Sequence, residues 1–224
     1  MGSSYSTNCM DSLKNYTSKD QGQTETCFAY AIAGIIVLAS ERVHGRKKLD
    51  FYEIKDKIVK NYSSKGGGGD THNILLNTGL LSQYRLRCRE INIDDAIKIL
   101  TNKNPRPIIA RFYLNADRWN SLSNYYRKYP NGILTSYDLE HYYDPKQKST
   151  GGGHAVIIMG CSLYPFNHFN IVNSWGDNWA NKGFFKVSTL TCPEIGFKYY
   201  DVYWLESDLT KEEKEQYKRD FPYD

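Results

Sequence analysis

The chain has 224 residues, 40% hydrophobic and 24% charged, with a formal charge of +4 from 29 basic and 25 acidic side chains. A chain of this length and mix buries enough surface to fold without crosslinks, as one domain or as two small packed lobes. Its charges are interspersed rather than clustered, which argues against nucleic acid as a partner, and no apolar run reaches the roughly 18 residues that span a bilayer.

In chain order, the polar stretch 21–26 leads into small and aliphatic residues from Cys27 to about Val43. That run predicts a helix buried on most of its faces. Asp50 followed by Glu53 resembles a capping box and predicts a helix over 51–61. The glycines 66–69 mark a loop, and no Gly-Lys-Ser/Thr follows to make it a phosphate loop. A helix is expected after Asp70, stopping near Gly79, and another over 93–100. Pro107 then opens an extended run, 108–114. A polar, tyrosine-rich segment follows, with no element assigned, and Asn131-Gly132 signals a turn. Residues 154–161, 168–174 and 183–187 are short, rich in Val, Ile and Phe, and bounded by turn residues, so they read as strands. The charged segment 206–219 reads as a surface helix or a disordered tail. Helices first and strands second predict an α+β arrangement of two packed lobes. Residues of about 14–105 form the helical lobe, about 106–205 the β lobe, and 206–224 the tail. A cleft between such lobes is the natural place for a site.

The five cysteines are Cys9, Cys27, Cys88, Cys161 and Cys192. They are odd in number, widely spaced and without a C-x-x-C pair, so no metal site is expected. Cys27 stands apart because a helix begins at it. Helix amino termini carry partial positive charge and unpaired N–H groups, which favour thiolate over thiol. A thiolate nucleophile needs an imidazole partner. The candidate is His154, set after Gly151, Gly152 and Gly153 at the mouth of a strand; glycines there admit the close approach of another backbone. The remaining histidines, His44, His72, His141 and His168, lack such a setting and read as surface or loop residues. A third piece is Asn173, within Asn-Ser-Trp-Gly-Asp-Asn-Trp. Its side-chain oxygen can accept a hydrogen bond from one imidazole nitrogen and fix the tautomer, and Trp175 can shield that bond.

The order Gln21-x-x-x-x-x-Cys27, Gly153-His154-Ala155-Val156 and Asn173-Ser174-Trp175-Gly176-x-x-Trp179 resembles the papain and cathepsin family of cysteine peptidases. In that family the histidine and asparagine follow the cysteine by roughly 130–150 residues; here the intervals are 127 and 146. The resemblance runs from about Lys14 to about Trp204. It includes 178–184 after the asparagine, 107–110 as the strand entering the second lobe, and Tyr129-Pro130-Asn131-Gly132-Ile133-Leu134. It implies the papain-like two-lobe fold, with a helical left lobe, a β-rich right lobe and the active-site cleft between them, as a single peptidase domain over 1–224. By the same resemblance Cys27 is the nucleophile, His154 its base, Asn173 the orienting residue and Gln21 an oxyanion donor. Gly68 and Gly69 then bind substrate backbone. Gly153, Ala155 and Trp175 contact substrate, with Ala155 near the floor of a specificity pocket. Arg111 lies on that pocket's wall and favours an acidic side chain two positions before the cut.

The expected activity is endopeptidase cleavage through a thioester acyl-enzyme, with no cofactor and with a protein or peptide as substrate. The same triad also serves specialised acyl-transfer enzymes such as deamidases, transglutaminases and isopeptidases. An inactive protease-like binding domain is the other reading, and the intact triad argues against it. Two departures from the family stand out: Thr24 replaces a cysteine, and Phe28 replaces the tryptophan after the nucleophile. The family is commonly lysosomal or secreted; without its disulfide cysteines, this chain also suits an intracellular or host-delivered setting. No apolar stretch follows Met1, so no signal peptide is expected. The family pro-segment has no counterpart here, so the chain reads as a mature or excised domain, with a protein inhibitor or a separate pro-segment as a further expected partner.

Overall fold

In the computed structural model, which describes residues 6–8 and 16–220 (side chains 16–216), the run after Cys27 forms helix α1 (Cys27–Glu41). Every residue from Phe28 to Ser40 is buried except Tyr30. Full burial of its Ile32, Ile35, Ile36 and Leu38 stabilises the fold by about 1.5–3 kcal/mol each. Small residues let the neighbouring sheet close in. A Cβ on Gly34 would lie 2.6 Å from both the Ile157 side chain and the Tyr16 hydroxyl, so alanine there would oblige these side chains to move.

Helix α2 (Phe51–Tyr62) carries the Asp50 half of the expected capping box: the Asp50 carboxylate accepts the Glu53 N–H at 2.9 Å. Asp70 and Asn92 cap α3 (Thr71–Asn77) and α4 (Ile93–Thr101) in the same way. Eight strands form one sheet: β1 (Ser6–Asn8), β2 (Arg87–Ile91), β3 (Ile108–Leu114), β4 (Ile133–Leu134), β5 (Gly152–Ser162), β6 (His168–Val172), β7 (Phe184–Ser188) and β8 (Lys198–Tyr203). Their order is β2-β8-β3-β5-β6-β7-β4, with β1 added on β5. All pairings are antiparallel except β4 with β7. The architecture is mixed α+β.

Two apolar cores flank the central strands. Alternation along β5 sends Ala155, Ile157 and Met159 into the core built on α1, and Val156 and Ile158 into the other. Along β3, Ile109 joins the first core while Ile108, Ala110 and Phe112 join the second. This division explains why β5 reads as one continuous apolar run rather than an alternating one: both of its faces are covered. A bulge between Ile158 and Gly160 then turns Cys161 toward the second core.

The second half holds more helix than the sequence suggested. The tyrosine-rich segment is α5 (Ala116–Lys128), followed by α6 (Ser136–His141) and α7 (Thr191–Glu194). The first half contributes strand β2, paired with β8. In the middle of β8 the fully buried Asp201 is held by Arg106, with Nε and Nη2 each at 2.8 Å, and by Arg89. The charged segment near the carboxyl end forms α8 (Lys211–Asp220), and it is docked rather than free. Its Glu213 is buried and receives both Arg46 and Arg85, the shortest contact being 2.7 Å from Arg85. No helix among the described residues is long and apolar enough to cross a membrane.

Candidate active site

Cys27 opens α1 at the seam between the two cores. Its backbone is the first helical position, after Thr26, which supplies no side-chain cap. The Cys27 and Phe28 N–H groups therefore face the sulfur, while those of Ala29 and Tyr30 donate to Thr26 O. Burial pushes the Cys27 thiol up; the backbone N–H groups of Ala155, Phe28 and Cys27 itself pull against that, while Glu25 adds to it.

His154 sits at the start of β5, paired with Phe112 of β3. Its Nε2 lies 2.6 Å from Asn173 Oδ1. A carboxamide oxygen only accepts, so Nε2 carries the hydrogen and Nδ1 keeps its lone pair. Asn173 is itself fixed: its N–H donates to Gly183 O at 2.9 Å, and its Oδ1 also accepts the Ser174 N–H at 2.8 Å. Three aromatic rings enclose the imidazole, Trp175 at 5.0 Å, Trp119 at 5.6 Å and Phe112 at 5.7 Å between centroids. Trp119 is held in turn by its indole N–H on Gly152 O at 3.0 Å. Beside an uncharged Cys27 thiol, enclosure lowers the His154 pKa from 6.5 to about 4, with burial the main cause and the Asn173 bond opposing it.

One cleft of about 470 Å³ brings together Cys27, His154, Gly68, Gly69, Arg111, Gly153 and Ala155. A Cβ on Gly69 would meet the Phe28 ring at 2.5 Å, so a side chain at this edge of the cleft would have to displace that ring. A larger hollow of about 740 Å³, lined in part by Trp175 and Trp179, contains neither Cys27 nor His154. Trp175 thus stands against the imidazole rather than in the cleft lining.

Gln21 lies on the loop before α1 and is tied to the asparagine segment. Its N–H donates to Ser174 O at 2.8 Å, and its Oε1 accepts from Ser174 Oγ at 2.5 Å. Its Nε2 donates one hydrogen to Thr24 O at 2.5 Å and has a second to spare. Thr24 closes the same loop through its hydroxyl on Gln21 O at 2.6 Å.

Some placements were not apparent from the sequence. His72, read as a surface or loop residue, lines the cleft from α3. His168 is buried in β6 with Nδ1 2.7 Å from Phe166 O. Trp119 and Phe112 shape the imidazole pocket, and Tyr200 lies beneath Arg111; no local motif marks any of the three. Cys27, Cys88, Cys161 and Cys192 are free thiols, and Cys9 lies outside the described residues.

No protein-family model matches the chain. Solved structures do. A chain from structural work on the mite allergens Blo t 1 and Der p 1 aligns over 91% of this chain and 72% of its own length, with a TM-score of 0.56 and 18% identity. Procathepsin B from Trypanosoma congolense aligns over 89% and 77%, with a TM-score of 0.58 and 14% identity. The Carica candamarcensis cysteine protease CMS1MS2, solved in complex with E-64, aligns over 89% and 98%, also at 0.58 and 14%. At such identities the likeness is one of architecture, and it is consistent across all three: the chain has the two-lobed fold of the papain-like cysteine proteases.

Proposed function

We propose that the protein is a cysteine endopeptidase that cleaves peptide bonds with Cys27, His154 and Asn173. The observation that carries this reading is the 2.6 Å hydrogen bond from His154 to Asn173, made at the cleft that also holds Cys27. It leaves Nδ1 as the nitrogen able to take the thiol proton.

A lone thiolate or a lone imidazolium is disfavoured here, since burial raises one pKa and lowers the other. Transfer of the proton from Sγ to Nδ1 creates both charges together. Two unit charges about 4 Å apart attract by about 4 kcal/mol at an effective dielectric near 20, enough to offset a desolvation cost of similar size. The thiolate then attacks the scissile carbonyl carbon, and the carbonyl oxygen gains the charge. The Cys27 N–H and the spare Nε2 hydrogen of Gln21 stabilise that oxyanion. His154 protonates the leaving amine as the thioester forms. It then takes a proton from water, which releases the acid and restores the thiol.

The test is selective alkylation combined with substitution. Burial pushes Cys88 and Cys192 up to about 12 and Cys161 to about 11, so these thiols stay protonated at mildly acidic pH. Iodoacetamide at such a pH should label Cys27 ahead of these three thiols and abolish peptide cleavage, and in Cys27→Ala the three should stay unlabelled on that time scale. Cleavage retained by Cys27→Ala refutes the proposal.

A further inference from the structure

Two cleft residues meet on one buried hydroxyl. Arg111 Nε donates to Tyr200 Oη at 3.0 Å, and His72 Nδ1 lies 3.1 Å from the same oxygen. Tyr200 is fully buried in β8, and burial keeps its phenol above the usual range even though Arg111 pulls the other way. The phenol therefore keeps its single proton. Arg111 Nε and His72 Nδ1 meet on this one oxygen, so the three side chains form one hydrogen-bonded chain.

This chain fixes the guanidinium by Nε and leaves the terminal amino groups free. Arg46, Arg85, Arg87, Arg89 and Arg106 each face a carboxylate. Arg111 has no carboxylate partner among the described residues, although it is exposed on the cleft wall. The nearby acids are already engaged. Asp70 accepts the Asn73 N–H at the cap of α3, and Glu90 lies 3.4 Å from His72. Arg111 is paired in register with Ala155, one residue from His154, so a side chain reaching it belongs to a residue close to the scissile bond.

We propose that this protein selects an acidic side chain at one substrate position near the scissile bond, and that Tyr200 and His72 set the preference by positioning Arg111. The proposal rests on the peptidase reading above. An oriented guanidinium offers two parallel N–H groups to a carboxylate, a geometry that a swinging side chain holds only part of the time.

The experiment compares kcat/KM for peptides that differ only by Glu, Gln or Lys at each position around the cut. The proteins are the parent, Arg111→Ala, Arg111→Glu and Tyr200→Phe, with thermal melting to establish that each is folded. The parent should prefer Glu over Gln by roughly tenfold or more at a single position. Arg111→Ala should erase that preference and Arg111→Glu should turn it toward Lys. Tyr200→Phe keeps the ring and removes the hydroxyl; it should shrink the Glu preference while leaving the rate on the Gln peptide unchanged. Cleavage with the same ranking in the parent and Arg111→Ala overturns the proposal alone. An unaltered Glu preference in Tyr200→Phe overturns the positioning role. Failure of the parent to cleave any peptide overturns the peptidase reading and this proposal with it.

Discussion

Replacing Cys27 with alanine removes the thiolate proposed as the partner of His154, and the imidazole should then titrate at about 4 rather than near 6.5. The cause is burial among Phe112, Trp119 and Trp175, only partly offset by the Asn173 bond. A difference of about 2.5 units corresponds to about 3 kcal/mol between the two protonation states. Because the folded pKa is depressed, this stability is present above pH 6.5 and is lost as pH falls toward 4. Residue-resolved NMR of the histidine rings gives the titration directly and separates His154 from His168, whose pKa burial also lowers. Urea unfolding of Cys27→Ala across the same window gives the energy. If Cys27 and His154 form the proposed ion pair, His154 in the parent should titrate well above the value in Cys27→Ala. A His154 pKa near 6.5 in Cys27→Ala would refute the enclosure argument. Identical low values in both proteins would refute the ion-pair mechanism.

Gln21→Ala should lower kcat by roughly 10²–10³ with little change in KM, as loss of an oxyanion donor does; steady-state kinetics on one peptide decides it. Glu213→Gln should cost about 3 kcal/mol in urea unfolding, because it strands the buried guanidinium of Arg46 and weakens the hold on Arg85. Burial pushes the Glu213 carboxyl up, but Arg46, the Thr210 N–H and Arg85 outweigh it and hold it at about 2. Its contribution is therefore present above pH 4.5 and lost as pH falls toward 2, a window that Glu213→Gln should lack. Reductant should leave the melting temperature unchanged, since the four described cysteines are free; a stable bridge between Cys161 and Cys192 seen by mass spectrometry would contradict this.

The parts of the structure legible in the sequence are those with strong local signals. Helix α1 announces itself because nearly all its faces are buried, and α2 because Asp50 caps it. The three segments around Cys27, His154 and Asn173 were legible because their residue types and order are specific. Helix α5 was not, because its buried face carries Asn120 and Ser121 beside Trp119 and Leu122. Asn120 is satisfied by the Asp144 and Gln147 carbonyls, partners that no local pattern reveals. Strand β2 lies at the sheet edge with much of it exposed, so it lacks alternation. Glu213 looks like one more charge in a solvated run until Arg46 and Arg85 are brought to it from more than a hundred residues away. His72 and Tyr200 meet only because α3 and β8 converge beneath the cleft. Even so, the alternation that puts Ile109 and Arg111 on one face of β3 follows from strand geometry alone.

The alternation of β5 gives the two groups proposed to react different owners. Cys27 packs against the core built on α1, while the ring of His154 stands among Phe112, Trp119 and Trp175 of the other. The gap between sulfur and nitrogen therefore acts as a ruler laid across a seam. Sliding one core past the other by an ångström changes that gap before it empties either core of a contact. A single residue inserted ahead of Ala155 would do more: it would turn His154 to the opposite side of the strand from its aromatic enclosure while leaving the apolar alternation beyond it in place.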